Sequence, residues 1–195
     1  MKPRTFSPRK LDMAAFIESG EALSGEMPVQ ELARLAKGLS EEVGPGSLPP
    51  VSWSAVGRVL PQRVGAPELW LDLRARGELA WECQRCLHAV REPVEVQRSI
   101  RFVNDEAAAE ALDADSEDDV LALSRQFDLL ALIEDELIMA EPIVPRHAQC
   151  PTDMATLMHD ETVVSPEGEA SAEPQAEPEK KNPFAVLASL KKNPG

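Results

Sequence analysis

The hydrophobic positions of the chain follow two different periods. In residues 1–50, apolar side chains recur at three- and four-residue spacing, which predicts a short helix at 12–19 and a second helix that begins at Pro28. Proline suits the first helical position because its φ is already close to helical. Glycine and proline clusters between 44 and 50 then break the chain. We therefore expect an N-terminal helical region over 1–50.

Residues 51–103 change to a period of two, which is typical of strands with one buried face. Three alternating runs, around 51–59, 69–83 and 94–102, predict three antiparallel strands that pair in sequence order. Gly77 interrupts the second run and predicts a β-bulge. Cys83 and Cys86 then fall at the hairpin tip between the second and third strands.

The next segment, 104–126, is acidic and rich in alanine but poor in large apolar side chains. It predicts a mobile loop with at most a partial helix over 106–112. A helix follows from Phe127, with Asp128 as its N-cap. Its expected buried stripe is Leu129, Leu130, Ile133, Leu137 and Ala140. The carboxylates at 134–136 are expected on a solvated face, and Pro142 ends the helix.

The last part of the chain has a different composition. Residues 160–181 repeat glutamate, proline, alanine and serine, which predicts a disordered acidic linker. Residues 182–195 form a short apolar helix motif that either docks on a partner or folds back on its own domain. With 51–159 as the core domain, the predicted fold class is α+β: an antiparallel β-meander packed with helices, a Cys knuckle at a hairpin tip and a disordered C-terminal tail.

Charge and cysteine content narrow the class of protein. The net charge of the 195 residues is −14, and residues 104–141 hold 13 acidic groups against one basic group. This segment repels phosphate backbones and favours basic protein partners. Three cysteines are too few for a disulfide framework and are ordinary in a reducing compartment. Without a signal peptide or a transmembrane stretch in the sequence, we expect a cytoplasmic protein that does not contact membranes.

The cysteine pair has three interpretations. Two thiolates separated by two residues can hold one tetrahedral ion, and His147 and Cys150 supply a second half-site, so Cys83, Cys86, His147 and Cys150 form a candidate structural zinc set. A redox pair is a second interpretation, although such pairs normally begin a helix. Two reduced cysteines without a ligand are the third. Metal binding and no metal binding both stay open at this point.

Few features indicate catalysis or strong RNA binding. The sequence has no nucleophile elbow, phosphate loop or dinucleotide fingerprint, so no catalytic residue is expected. Arginines on the strands and knuckle could make weak rRNA contacts, namely Arg85, Arg91, Arg98 and Arg101. Glutamates interleave with them, so an ordinary mixed-charge sheet surface is the favoured interpretation.

Four motifs in the same order resemble a known family. They are Glu82-Cys83-Gln84-Arg85-Cys86-Leu87, the helix that follows Phe127-Asp128, the segment Pro142-Ile143-Val144-Pro145-Arg146-His147 with Cys150, and the terminal Asn-Pro-Phe-Ala-Val-Leu motif. Together they resemble the YceD family, the large ribosomal RNA subunit accumulation proteins. The resemblance implies a non-enzymatic role in 23S rRNA accumulation and large-subunit biogenesis, as an adaptor or scaffold.

The resemblance also suggests partners and alternatives. Ribosome-assembly or rRNA-processing proteins are the expected partners. Many relatives carry further cysteines after the acidic helix, where this chain has only His147 and Cys150. A metal-dependent rRNA-processing enzyme and a redox-sensing regulator that uses Cys83 and Cys86 are the competing functions.

Overall fold

A mixed β-sheet forms the framework of the fold. The computed structural model describes residues 5–114, 116 and 118–152. Within these residues, five strands lie side by side in sequence order. The strands are β1 Ala22–Met27, β2 Val51–Leu60, β3 Glu68–Glu82, β4 Ala89–Val103 and β5 Asp119–Ala122. Strands β1 to β4 pair antiparallel, whereas β5 pairs parallel with β4. The fold is therefore α+β, and the predicted three-strand meander is extended by one strand at each edge.

Three α-helices of the described residues begin after capping aspartates. The helices are α1 Met13–Ser19, α2 Glu106–Asp113 and α3 Leu129–Met139. Their N-caps Asp12, Asp105 and Asp128 each accept a hydrogen bond from a backbone N–H of the first turn. The helix predicted at 12–19, the partial helix at 106–112 and the Asp128 cap are confirmed. Strand β5 was missed, because four residues at a sheet edge give little periodic signal.

The alternating pattern of the strands correctly predicted the core. One face of the sheet buries residues of a single parity, including Trp53, Leu71, Trp81 and Ile100. Helices α1 and α3 add their apolar sides to the same cluster. The bulge predicted at Gly77 is wrong, because the β3–β4 register is continuous through the Gly77–Val94 pair. Gly77 instead makes room for Val51, whose Cγ2 would lie 2.9 Å from an added Cβ.

The N-terminal region is less helical than the sequence predicted. After α1 it contributes β1 and three short 3-10 helices, Val29–Glu31, Leu35–Lys37 and Pro45–Ser47. The helix predicted from Pro28 is wrong, because Leu32 leaves the helical region of φ and ψ. Local spacing could not reveal this break, since the carboxylate that accepts from the N–H groups beyond it lies 100 residues away in helix α3.

This carboxylate belongs to Glu134, which is buried rather than solvated. Its Oε1 accepts hydrogen bonds from the backbone N–H of Arg34 at 2.6 Å and of Leu35 at 3.2 Å. Its Oε2 accepts one from Arg34 Nε at 3.0 Å. These N–H groups would point to preceding carbonyls in a continuous α-helix. The expectation that the carboxylates at 134–136 are solvated is therefore wrong at Glu134. It is also wrong at Glu136, whose side chain is 12% exposed and pairs with Arg98, and it holds at Asp135.

The close approach of α1 to β2 yields a first testable prediction. A Cβ added at Gly57 would lie 2.5 Å from Ile17 Cα and 3.0 Å from the backbone oxygens of Phe16 and Ile17. Because backbone atoms cannot rotate away, we expect Gly57→Ala to lower the free energy of unfolding by about 3 kcal/mol, the upper end for overpacking. Urea titration followed by tryptophan fluorescence measures it. Gly44→Ala is the control, since nothing lies within 4 Å of its added Cβ, and equal stability of the two variants would contradict this packing.

Several predictions concern residues outside the described part of the chain. The acidic linker 160–181 and the C-terminal motif 182–195 both lie there. The division of the chain into 1–50, 51–159, 160–181 and 182–195 stays a prediction. Within the described residues, Leu11 and Phe16 of the first region pack in the same core as residues of β2 to β4. In 5–114, 116 and 118–152, no helix combines the length and apolar character needed to span a membrane.

Candidate metal centre

The hairpin between β3 and β4 places the first two candidate ligands. At its tip, Cys83 N donates to His88 O at 2.9 Å and Leu87 N donates to Cys83 O at 2.9 Å. Leu87 has a left-handed backbone with φ of 62°, an uncommon conformation for a leucine. This tight turn brings the side chains of Cys83 and Cys86 to the same side of the hairpin.

The segment after α3 supplies the other two candidate ligands. Its backbone docks on the turn, because Gln84 N donates to Pro145 O at 3.0 Å. Two residues later, His147 Nε2 lies 3.0 Å from Ala89 O. An Nε2–H that donates to this carbonyl leaves Nδ1 unprotonated and free to bind a cation. The connection between the two halves is therefore made by backbone contacts as well as by the candidate ligands.

The four donor atoms converge on one point. The three sulfurs and the His147 nitrogen all lie within 4.8 Å of one another. Cys83 Sγ is 3.9 Å from Cys150 Sγ, and Cys86 Sγ is 3.4 Å from His147 Nδ1. A tetrahedral zinc ion with ordinary bond lengths requires separations of about 3.8 Å between sulfurs and about 3.6 Å between sulfur and nitrogen. The structure thus brings the predicted set together, and these two separations are close to those of a structural zinc site.

The electrostatics of the sulfurs also favour a cation. Burial of the Cys83 thiol opposes its ionisation, but backbone N–H groups of Cys86, Arg85 and His147 donate to its sulfur and lower its pKa to about 5. Burial and the nearby sulfurs of Cys83 and Cys150 raise the pKa of Cys86. Ionising all three thiols would place three negative charges close together, which has a high free-energy cost unless a positive ion lies between them.

Arg85 is a member of the site that the sequence did not reveal. Its Nε and one terminal nitrogen lie 3.3 and 3.1 Å from Cys150 Sγ. A zinc ion with three thiolates and a neutral imidazole keeps one net negative charge, and a guanidinium on the thiolate side offsets it. The sequence indicated Arg85 only as a weak rRNA contact, because the Cys150 sulfur that it meets is 65 residues away in the chain.

The other arginines considered for RNA contact each lie beside a carboxylate. Arg91, Arg98 and Arg101 form ion pairs with Glu78, Glu136 and Glu68, at 3.1, 2.8 and 2.8 Å respectively. Paired guanidiniums offer less net charge to a phosphate backbone. This arrangement agrees with the mixed-charge surface favoured by the sequence.

A comparison with protein families finds a match over most of the chain. The profile of the family described as large ribosomal RNA subunit accumulation protein YceD matches residues 71–191. This chain belongs to the YceD family. The match begins within β3 and includes β4, β5, α2, α3 and all four candidate ligands. Elements α1, β1 and β2 precede it.

One curated relative from the YceD family gives a second comparison. It is the large ribosomal RNA subunit accumulation protein YceD of Haemophilus influenzae, which is 34% identical to this chain over 110 residues. The aligned part is 56% of this chain and 58% of the relative's length. No solved structure matches this chain.

Proposed function

We propose that this protein is a non-enzymatic factor in the accumulation of 23S rRNA and in the biogenesis of the large ribosomal subunit. The observation that carries the proposal is membership of the YceD family, whose description names large-subunit rRNA accumulation. The protein acts in the cytoplasm as an adaptor or scaffold for ribosome-assembly or rRNA-processing proteins. Its rRNA contacts through Arg85, Arg91, Arg98 and Arg101 are weak, since these side chains already have acidic or sulfur partners.

In this proposal the metal centre is structural. Cys83, Cys86, His147 and Cys150 would hold one zinc ion and fasten the segment after α3 to the β3–β4 hairpin. A catalytic zinc needs an open coordination position for water or substrate. Four protein ligands leave no such position, which argues against the metal-dependent processing enzyme.

A redox-sensing regulator is the second candidate function. The sequence indicated Cys83 and Cys86 as the redox pair, whereas the sulfurs of Cys83 and Cys150 lie 3.9 Å apart. After a modest approach, peroxide could oxidise these two thiols to a disulfide and be reduced to water. The two functions differ in metal content. A zinc-free protein that forms a reversible disulfide with peroxide would support the regulator and contradict the structural metal centre.

The ribosomal role predicts a specific cellular phenotype. Deletion of the gene should lower 23S rRNA relative to 16S rRNA and deplete large-subunit particles. Quantitative RNA analysis and sucrose-gradient profiles measure both, and the wild-type gene on a plasmid is the control. An unchanged ratio of the two rRNAs together with normal particle profiles would overturn the proposal.

A further inference from the structure

We propose that Glu42 is a positioning residue of the metal centre, which acts by holding the strand residue that orients His147. The inference rests on the proposed zinc site and deepens it. Glu42 is not one of the four candidate ligands, and it lies upstream of the family match, which begins at residue 71. An element outside that match would therefore complete the site.

The contacts form a continuous chain from Glu42 to the imidazole. Glu42 Oε2 accepts a hydrogen bond from Ala89 N at 2.6 Å, and Oε1 lies 2.8 Å from His88 Nδ1. Ala89 O in turn lies 3.0 Å from His147 Nε2. In a strand, the N–H and C=O of one residue point to the same edge. Glu42 and His147 therefore meet at the same edge of β4, at its first residue.

The backbone around Glu42 is fixed to the sheet. Ser40 is buried, and its N–H donates to Ala80 O in β3 at 2.8 Å. Val43 N donates to Ser40 O at 3.2 Å, which closes a turn across Glu42. The carboxylate is thus presented to the hairpin by a short, anchored segment, which can position its partners because it is itself held.

Charges around the candidate site are arranged asymmetrically. The Ala89 N–H and the His88 ring, and more weakly the imidazole of His147, lower the pKa of Glu42, so the carboxylate is ionised at neutral pH. Arg85 faces the sulfur of Cys150. An anion therefore lies on the His147 side, where it holds Ala89, whose carbonyl oxygen orients the imidazole, and a cation lies beside the sulfur of Cys150.

Zinc release tests the positioning role directly. We expect Glu42→Ala in the full chain to release zinc to a colorimetric chelator about 10-fold faster than the wild type. This is the lower end of the effects seen when residues that orient metal ligands are removed. Glu42→Gln keeps one acceptor oxygen for Ala89 N–H and should show an intermediate rate. The neighbouring exposed Glu41, changed to glutamine, is the matched control and should release zinc at the wild-type rate.

A spectroscopic measurement separates positioning from a general loss of stability. Cobalt substituted for zinc should give a changed visible absorption spectrum in Glu42→Ala, because the His147 ring is reoriented. The metal-free wild type and the metal-free variant should have similar free energies of unfolding. Unchanged release and an unchanged cobalt spectrum in a zinc-containing protein would overturn the role of Glu42 alone. A wild-type protein that binds neither metal would overturn the metal centre itself, and the positioning role with it.

Discussion

Replacing Cys83 by serine is expected to abolish zinc binding and to cause the largest loss of stability among the single changes considered. Cys83 is fully buried, and three backbone N–H groups stabilise its thiolate. A serine hydroxyl does not ionise at neutral pH and is a poor zinc ligand. Zinc content should fall from about one equivalent to below about a tenth, as measured by mass spectrometry of protein purified without a metal-binding tag.

The accompanying loss of stability follows from linkage. A ligand that binds only the folded state at 1,000 times its Kd stabilises that state by about 4 kcal/mol. Wild-type protein should lose this amount when a chelator removes the metal, and Cys83→Ser should not respond to the chelator. Gln84→Ala, in the same turn with an exposed side chain, is the matched control and should keep its zinc. Retention of zinc by Cys83→Ser would rule out the four-ligand centre.

Replacing Glu134 by alanine is expected to lower the free energy of unfolding by about 2 to 4 kcal/mol. The change removes the acceptor for the backbone N–H groups of Arg34 and Leu35, and each unsatisfied buried donor costs about 1 to 3 kcal/mol. It also leaves Arg34 Nε without its carboxylate partner. Urea titration at neutral pH measures the difference from the wild type.

The adjacent carboxylate is a matched control for this prediction. Asp135 also pairs with Arg34, but its side chain is 52% exposed, so Asp135→Ala should cost less than about 1 kcal/mol. If the two variants lost equal stability, the buried hydrogen bonds of Glu134 would not be the cause.

The Glu134 effect should also depend on pH in a defined direction. Burial alone would raise the pKa of this carboxyl, but hydrogen bonds from the N–H groups of Arg34 and Leu35 and from the Arg34 side chain lower it below its usual value of 4.5. A depressed folded-state pKa means that the stabilisation is complete above about pH 4.5 and is lost as the pH falls through the folded-state value. The gap in stability between the wild type and Glu134→Ala should therefore narrow at acid pH.

The sequence alone determined the local features of this protein. Alternation of apolar residues fixed the inward face of strands β2 to β4, and the Asp128 N-cap fixed the start of α3. These signals depend on the period of the side chains and on capping within one turn, so they survive without knowledge of distant contacts. The candidate ligand residues were also predictable, because thiolate and imidazole chemistry is restrictive and their two-residue spacings are characteristic.

Only the tertiary structure decided which distant residues meet. The sequence after Pro28 favours a continuous helix, but in the fold the N–H groups of Arg34 and Leu35 donate to the buried carboxylate of Glu134 instead of to preceding carbonyls. Similarly, Arg85 and Glu42 approach the candidate metal centre through partners that lie 65 and 47 residues away in the chain. Periodicity reports the face on which a side chain lies, whereas the free energy of a buried charge or an N–H group depends on the partner that the fold supplies.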